Sequence, residues 1–345
     1  MAGCATFIKE LAGGKSLKLA SMVDIYPGNA TNKKLTWTIV GDTFGAKLSS
    51  ADLYAAGLVG SIDGEDVRVS DVKVTNTQIT SESSYIGALA GKVNAKATLK
   101  NITVDGFTVS GANYISGVAG LVQGEVNITN ANVNNAQLSG VSEISGIASG
   151  NGTVSIKDSS VKNSSVSTLA YSSANTAGGV AAVFTGAVEN VTVENTKISA
   201  GVAGGIVGKT LADCELVIRN VNVLASQVSS SDANTVAAGI LGVHNVKGTA
   251  TVESAYVDSK TVISSAAVTA GLVGDCSGAQ SVLTITSSKT LATVNGAETA
   301  NAVASAGVKF IFQLPAITVL LFKGFIFFYL PLCIMMGNGG SPFPV

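Results

Sequence analysis

The one histidine of the chain and one of its cysteines are the residues best suited to chemistry. His244 lies two residues after Gly242 and Cys276 two residues after Gly274, within segments that otherwise repeat one another. Stacking those segments would set the two side chains in the same turn of adjacent repeats, with Asp275, Asp213 and Cys214 close by. A Cys-His pair can serve as nucleophile and base, or as part of a metal site. The further ligands that a metal would need are missing, and two ordinary turn residues would give the same spacing. The four cysteines, Cys4, Cys214, Cys276 and Cys333, form no CxxC pair, so neither a zinc site nor a disulfide framework is indicated. Carboxylates are dispersed rather than clustered beside basic residues, as sugar-cleaving chemistry would require. The expectation is a protein that is not an enzyme, with no catalytic residue, no metal and no cofactor.

A second candidate for chemistry is a recurring G-x-x-G, which in a phosphate-binding loop would open a helix. No helix pattern follows it. The spacing belongs instead to a motif of the form small-Gly-aliphatic-aliphatic-small that occurs eight times, among them AAGLVG at Ala55, ISGVAG at Ile115, AGGIVG at Ala203 and TAGLVG at Thr269. Its equivalent positions are Gly57, Ala88, Gly117, Gly146, Gly179, Gly205, Gly239 and Gly271, at intervals of 26 to 34 residues. A degenerate ninth copy falls at Ala304 to Gly307. Self-similarity at such a period marks a solenoid, and a glycine there lets one coil pack tightly on the next.

Between the glycine motifs runs another pattern, seen in VSDVKVTNTQIT from Val69, LKNITVDGFTVS from Leu99 and VENVTVENTKIS from Val193's coil, beginning at Val188. Its alternation of apolar and other residues describes strands with one buried face, and the polar residues that interrupt it mark corners. Asp71, Asn101, Asn130, Asp158, Asn190, Asn220 and Ser254 fall at the first corner of successive coils. Asn76, Asn135, Asn163 and Asn195 fall at the second, where Gly106, Ala225 and Ser259 replace them elsewhere. Asn tolerates the left-handed backbone of a sharp corner, and stacked amides can bond from coil to coil. These columns read either as a row of ligand groups or as structural ladders, and shared hydrogen bonding at inward corners favours the ladder.

Composition agrees with thin stacked strands: 39 glycines, only 12% charged residues, and many β-branched and small polar side chains. The net charge of -1 and just two arginines, Arg68 and Arg219, exclude the basic stripe that a nucleic acid partner would need. The expected fold is all-β, a single-stranded parallel β-helix (a right-handed β-solenoid) of about eight to nine coils over residues 48–307, with an apolar C-terminal tail.

The Gly-Leu-aliphatic-Gly core of AAGLVG, AGGIVG and TAGLVG resembles that of the GLUG-motif repeat proteins, over about Leu48 to Thr290. The resemblance implies a bacterial cell-surface or secreted location, although no signal peptide is visible in the first thirty residues. It also implies a non-catalytic role, as an adhesin-like stalk or binding scaffold. The alternative is a non-catalytic repeat region of a larger secreted enzyme, a metallopeptidase or a polysaccharide-processing one. The partner would be a host glycan or an extracellular protein. The longest excursion, Ser167 to Ala177, offers Leu169 and Tyr171 as a binding loop.

The ends differ from the middle. Residues 1–47 read as an N-terminal cap or a truncated upstream domain, the stretch from Tyr26 being faintly similar to bacterial immunoglobulin-like surface domains. Residues 308–345 hold seven of the eleven phenylalanines and four of the five prolines. This tail reads as a transmembrane anchor, and so as a membrane contact, or as a gene-end artefact. Six N-x-S/T sequons, at Asn29, Asn101, Asn127, Asn151, Asn163 and Asn190, carry little weight in so Asn-rich a chain.

Overall fold

A computed structural model of the chain describes residues 58–80, 84–232 and 235–294, together with strand backbone at 19–22, 24–26, 37–39, 48–49, 303–306 and 310–313. Gly57 and the tail beyond Gln313 lie outside the described residues. Among the described residues every regular element is a strand, and the strands stack as a parallel β-solenoid of about eight turns.

One coil shows the plan. A leading strand, Ala119–Val122, follows the glycine motif. A long strand, Glu125–Asn134, comes next and bends at Asn130. After the second corner at Asn135 come a short strand, Gln137–Gly140, and a return strand, Ser142–Ser145, and then the next glycine motif. Each strand pairs in parallel with its counterpart one coil away, as in Val126↔Val154, Leu138↔Val166 and Ile144↔Ala177. The seven return strands form one sheet and the nine short strands another. Parallel pairing of short segments joined by tight corners is what alternating apolar residues in a recurring coil pattern produce.

Inward side chains fill the solenoid along its whole length. Val104, Val133, Val161, Val193, Val223 and Val257 are all fully buried, and Phe107 and Phe184 are the largest enclosed side chains. One contiguous apolar core runs from Leu58 to Val294. No coil could bury this surface alone, so each depends on its neighbours.

The outer face of the long strands carries cross-strand charge pairs. Lys157, Glu189, Arg219 and Glu253 occupy one register position on four successive coils. Lys157 meets Glu189 at 2.9 Å, and Arg219 meets Glu189 at 3.4 Å and Glu253 at 2.8 Å. Alternating signs neutralise this row.

At the N-terminal end the parallel order changes. Strand Asp24–Tyr26 lies antiparallel along Arg68–Ser70, while Thr38 pairs in parallel with Lys73. At the other end Val303–Ala306 stacks on Val273–Cys276, and Phe310–Gln313 stacks on Leu283–Thr286. Solenoid pairing therefore continues past residue 308, where the sequence composition changes.

Candidate functional site

The corner columns take the backbone conformation expected of them. Asp71, Asn101, Asn130, Asp158, Asn190, Asn220 and Ser254 all have φ between 51° and 60°, and Asn76, Asn135, Asn163 and Asn195 between 47° and 52°. Gly106 and Ala225 share that left-handed region at the second corner. Ser259 does not hold the next one: the coil is one residue longer there, and Asp258 closes a turn by accepting from the Thr261 amide and hydroxyl.

The ladders are real but directional and interrupted. Asn101 donates to Asp71 at 2.7 Å, Asn130 to Asn101 at 2.9 Å, Asn190 to Asp158 at 2.9 Å and Asn220 to Asn190 at 3.2 Å. Every amide donates toward the N-terminal coil. An ionised aspartate accepts only, so Asp158 cannot continue the ladder to Asn130, whose oxygen takes the Asn132 amide instead. In the second column Gly106 separates Asn76 from Asn135, which turns to Asp105 at 2.8 Å. Asn163 bonds Asn134, and Asn195 bonds Asn163. The inward placement expected of these side chains is wrong: they sit outside the apolar core, most of them exposed, because the left-handed corner turns the side chain outward while its neighbours point in. The sequon residues Asn127, Asn151, Asn163 and Asn190 are exposed as well.

A set of buried hydroxyls one residue past these corners went unseen in the sequence. Ser159 donates to the Lys157 carbonyl and accepts from the Ala131 amide one coil back. Ser164 and Ser226 repeat the arrangement, as does the half-buried Ser288. Each satisfies backbone groups that the bend takes out of the ladder. The pairs Asn76-Thr77, Asp158-Ser159, Asn163-Ser164 and Asn195-Thr196 were the available signal.

The two glycines of each G-x-x-G have separate reasons. A Cβ at Gly117, Gly146, Gly179, Gly205 or Gly239 would collide with the carbonyl oxygen of the corresponding residue one coil on, which at Gly239 is that of Gly271. A Cβ at Gly208 would meet Ala177 and Ala182 carbonyls at 2.7 and 2.8 Å, and one at Gly242 would strike the Gly208 carbonyl one coil back and meet the Val202 side chain at 3.0 Å. The motif is a tightly packed seam between return and leading strands.

His244 and Cys276 stand in register on adjacent leading strands, since Val243 pairs with Asp275, but no hydrogen bond joins them. The imidazole is sealed in the core. Its Nδ1 lies 2.8 Å from the Thr210 hydroxyl and its Nε2 3.3 Å from the Gly248 carbonyl. A carbonyl only accepts, so Nε2 carries the proton and Nδ1 takes the hydroxyl's. Burial holds the pKa of His244 below its ordinary value, and raises that of Cys276 to about 11 and that of Cys214 in the same sense. Asp213 is engaged by Lys247, and Asp275 accepts from Asn245. The imidazole and both thiols are thus packed in the apolar interior, where burial favours their neutral forms.

A third corner, not anticipated from the sequence, lies at the start of the return strands. It is held by Tyr85 (φ 67°), Tyr114 (φ 55°) and Glu143 (φ 57°) on three successive coils. The two rings stack with centroids 5.2 Å apart and a 31° tilt. Tyr114 hydrogen-bonds the Glu143 carboxyl, and Lys209 acts on that carboxyl as well. Burial outweighs both and raises Glu143 to about 7, while burial and the carboxylate raise Tyr114. Beside this row, Asn113 donates to Ser84 at 3.3 Å. On the next coil the corner gives way to the 169–175 loop. Leu169 is 64% exposed there and Val141, one coil back, 45%. Tyr171 is less available than the sequence suggested, since its hydroxyl meets Ser199 at 2.9 Å. Asn175 pins the loop by donating to the Val141 carbonyl.

No family model, characterised protein or solved structure matches the chain. The likeness to GLUG-motif repeats accordingly rests on the eight motifs themselves.

Proposed function

We propose that the chain is a non-catalytic repeat protein of the cell surface or the secreted space, an adhesin-like stalk or binding scaffold. The observation that carries this reading is the parallel coil-to-coil stacking from Val59 to Val294, with only local register shifts such as that between Gly64 and Val67, which fixes side chains in long rows on a stiff support. At about 4.8 Å per coil, eight coils make a rod nearly 40 Å long. Rigid scaffolds of this kind suit presentation of corner and loop residues to a partner, here a glycan or an extracellular protein. The burial of His244 and Cys276 also favours binding over chemistry.

Two measurements test the reading. An antibody against residues 58–294 should label intact cells of the source organism or its medium, and detection in the cytosol alone would overturn it. Purified chain should bind members of a combined glycan and matrix-protein array without converting them. Turnover of any bound glycan or protein would overturn the non-catalytic assignment.

A further inference from the structure

The three columns of left-handed corners differ in a telling way. The first two use Asn, Asp, Ser, Gly and Ala, small residues or residues whose short side chains bond locally. The third uses Tyr, Tyr and Glu. A large side chain in that region is a genuine outlier and strains the backbone at each position. Asn at the same three places would close the corner with less strain. The backbone therefore gives no reason for these residues, and strain of this kind collects where side chains have a task.

We infer that the row Tyr85, Tyr114 and Glu143 is a saccharide-binding site for a neutral, extended oligosaccharide lying along the solenoid axis. The inference rests on the reading of the chain as a binding scaffold and names its partner class and place. Both phenol rings are half-buried and stack as one strip, an apolar surface with polar tips. The Glu143 carboxyl at the end of the strip can bond sugar hydroxyls, and Asn113 with Ser84 adds an amide and a hydroxyl alongside. Lys209 lies close enough to act on the Glu143 carboxyl, so the row carries one carboxyl and one cation and no cluster of one sign that would select a charged sugar. The coil repeat of about 4.8 Å is close to the length of one pyranose unit in an extended chain, so successive side chains can meet successive sugars. Val141 and Leu169 extend the apolar surface on the neighbouring short-strand ends. A loop of one residue type could not supply this spacing, whereas a stacked corner does so by construction.

The test uses the full chain and immobilised cellohexaose, chitohexaose and xylohexaose. At least one should bind, and Tyr114→Asn and Glu143→Gln should each weaken that binding at least tenfold without lowering the melting temperature. Gln227→Ala, on an exposed short strand away from the row, should change neither. Loss of binding together with folding in Tyr114→Asn would be resolved by Glu143→Gln, which leaves the corner backbone alone. Unchanged affinity in both variants would overturn the site. Binding of proteins but of no saccharide would overturn the partner class while leaving the scaffold reading intact. Binding of neither would overturn both.

Discussion

The side-chain amide of Asn190 donates to the carboxylate of Asp158 one coil back, at 2.9 Å across 32 residues of sequence. That bond is where the first-corner ladder restarts after its interruption at Asn130. Asn190→Ala should cost about 1–3 kcal/mol, through the lost bonds and the strain of alanine in a left-handed corner. Lys197→Ala should cost almost nothing. Asp158→Asn should stabilise by up to about 1 kcal/mol, because an amide there can donate on to Asn130. Urea denaturation of the three variants checks all of this, and a stabilised Asn190→Ala would contradict the ladder.

Gly205→Ala should be among the most damaging single changes in the chain. Its Cβ would strike the backbone of Gly239, which cannot move without parting two coils. A loss of more than about 3 kcal/mol, or failure to fold, is expected. Ala88 occupies the equivalent place in an earlier coil, so a reciprocal Ala88→Gly should be mild. Equal melting temperatures for Gly205→Ala and the parent would show that the seam is not tight.

Two groups give stability opposite pH dependences. Glu143 has a folded pKa of about 7, above its unfolded value of 4.5, so its contribution is full below 4.5 and is lost as pH rises through 7. His244 has a folded pKa below its unfolded 6.5, so its contribution is lost as pH falls below 6.5. Glu143→Gln should therefore raise stability at pH 8 by roughly 1–3 kcal/mol, with little effect at pH 4. Melting curves from pH 4 to 8 read this directly. A penalty that is the same at both ends would mean that the carboxyl is not shielded.

The thiols of Cys214 and Cys276 should resist a disulfide reagent at pH 8 until the chain unfolds. Both are buried, and the thiolate of Cys276 forms only near pH 11. Rapid labelling of either in the native protein would reopen a chemical role for the Cys276 and His244 pair.

The coil plan was legible because its requirements are local and recur. A glycine is needed where Gly205 meets Gly239, and an Asn is favoured where Asn190 turns the chain, so composition and period revealed both. The direction of the ladders was not legible, since it depends on which coil supplies the acceptor, as Gly106 diverting Asn135 to Asp105 shows. The third corner was hidden for the opposite reason: Tyr85, Tyr114 and Glu143 are poor corner residues and carry no turn signal. Their place three residues before the motif glycine or alanine column became meaningful only once the return strands were seen.

The stacked coil order is the foundation of every role assigned to these residues, and one distance tests it. Thr108, Gln137, Ser165, Lys197, Gln227 and Val262 share one register position on six successive short strands. Spin labels at Thr108 and Val262, in a chain with Cys4 and Cys333 replaced by serine, should lie about 24 Å apart by pulsed electron resonance, five coil repeats of about 4.8 Å. A narrow distribution at that distance is the predicted result. A broad distribution, or a maximum beyond about 40 Å, would contradict the solenoid and every surface built on it.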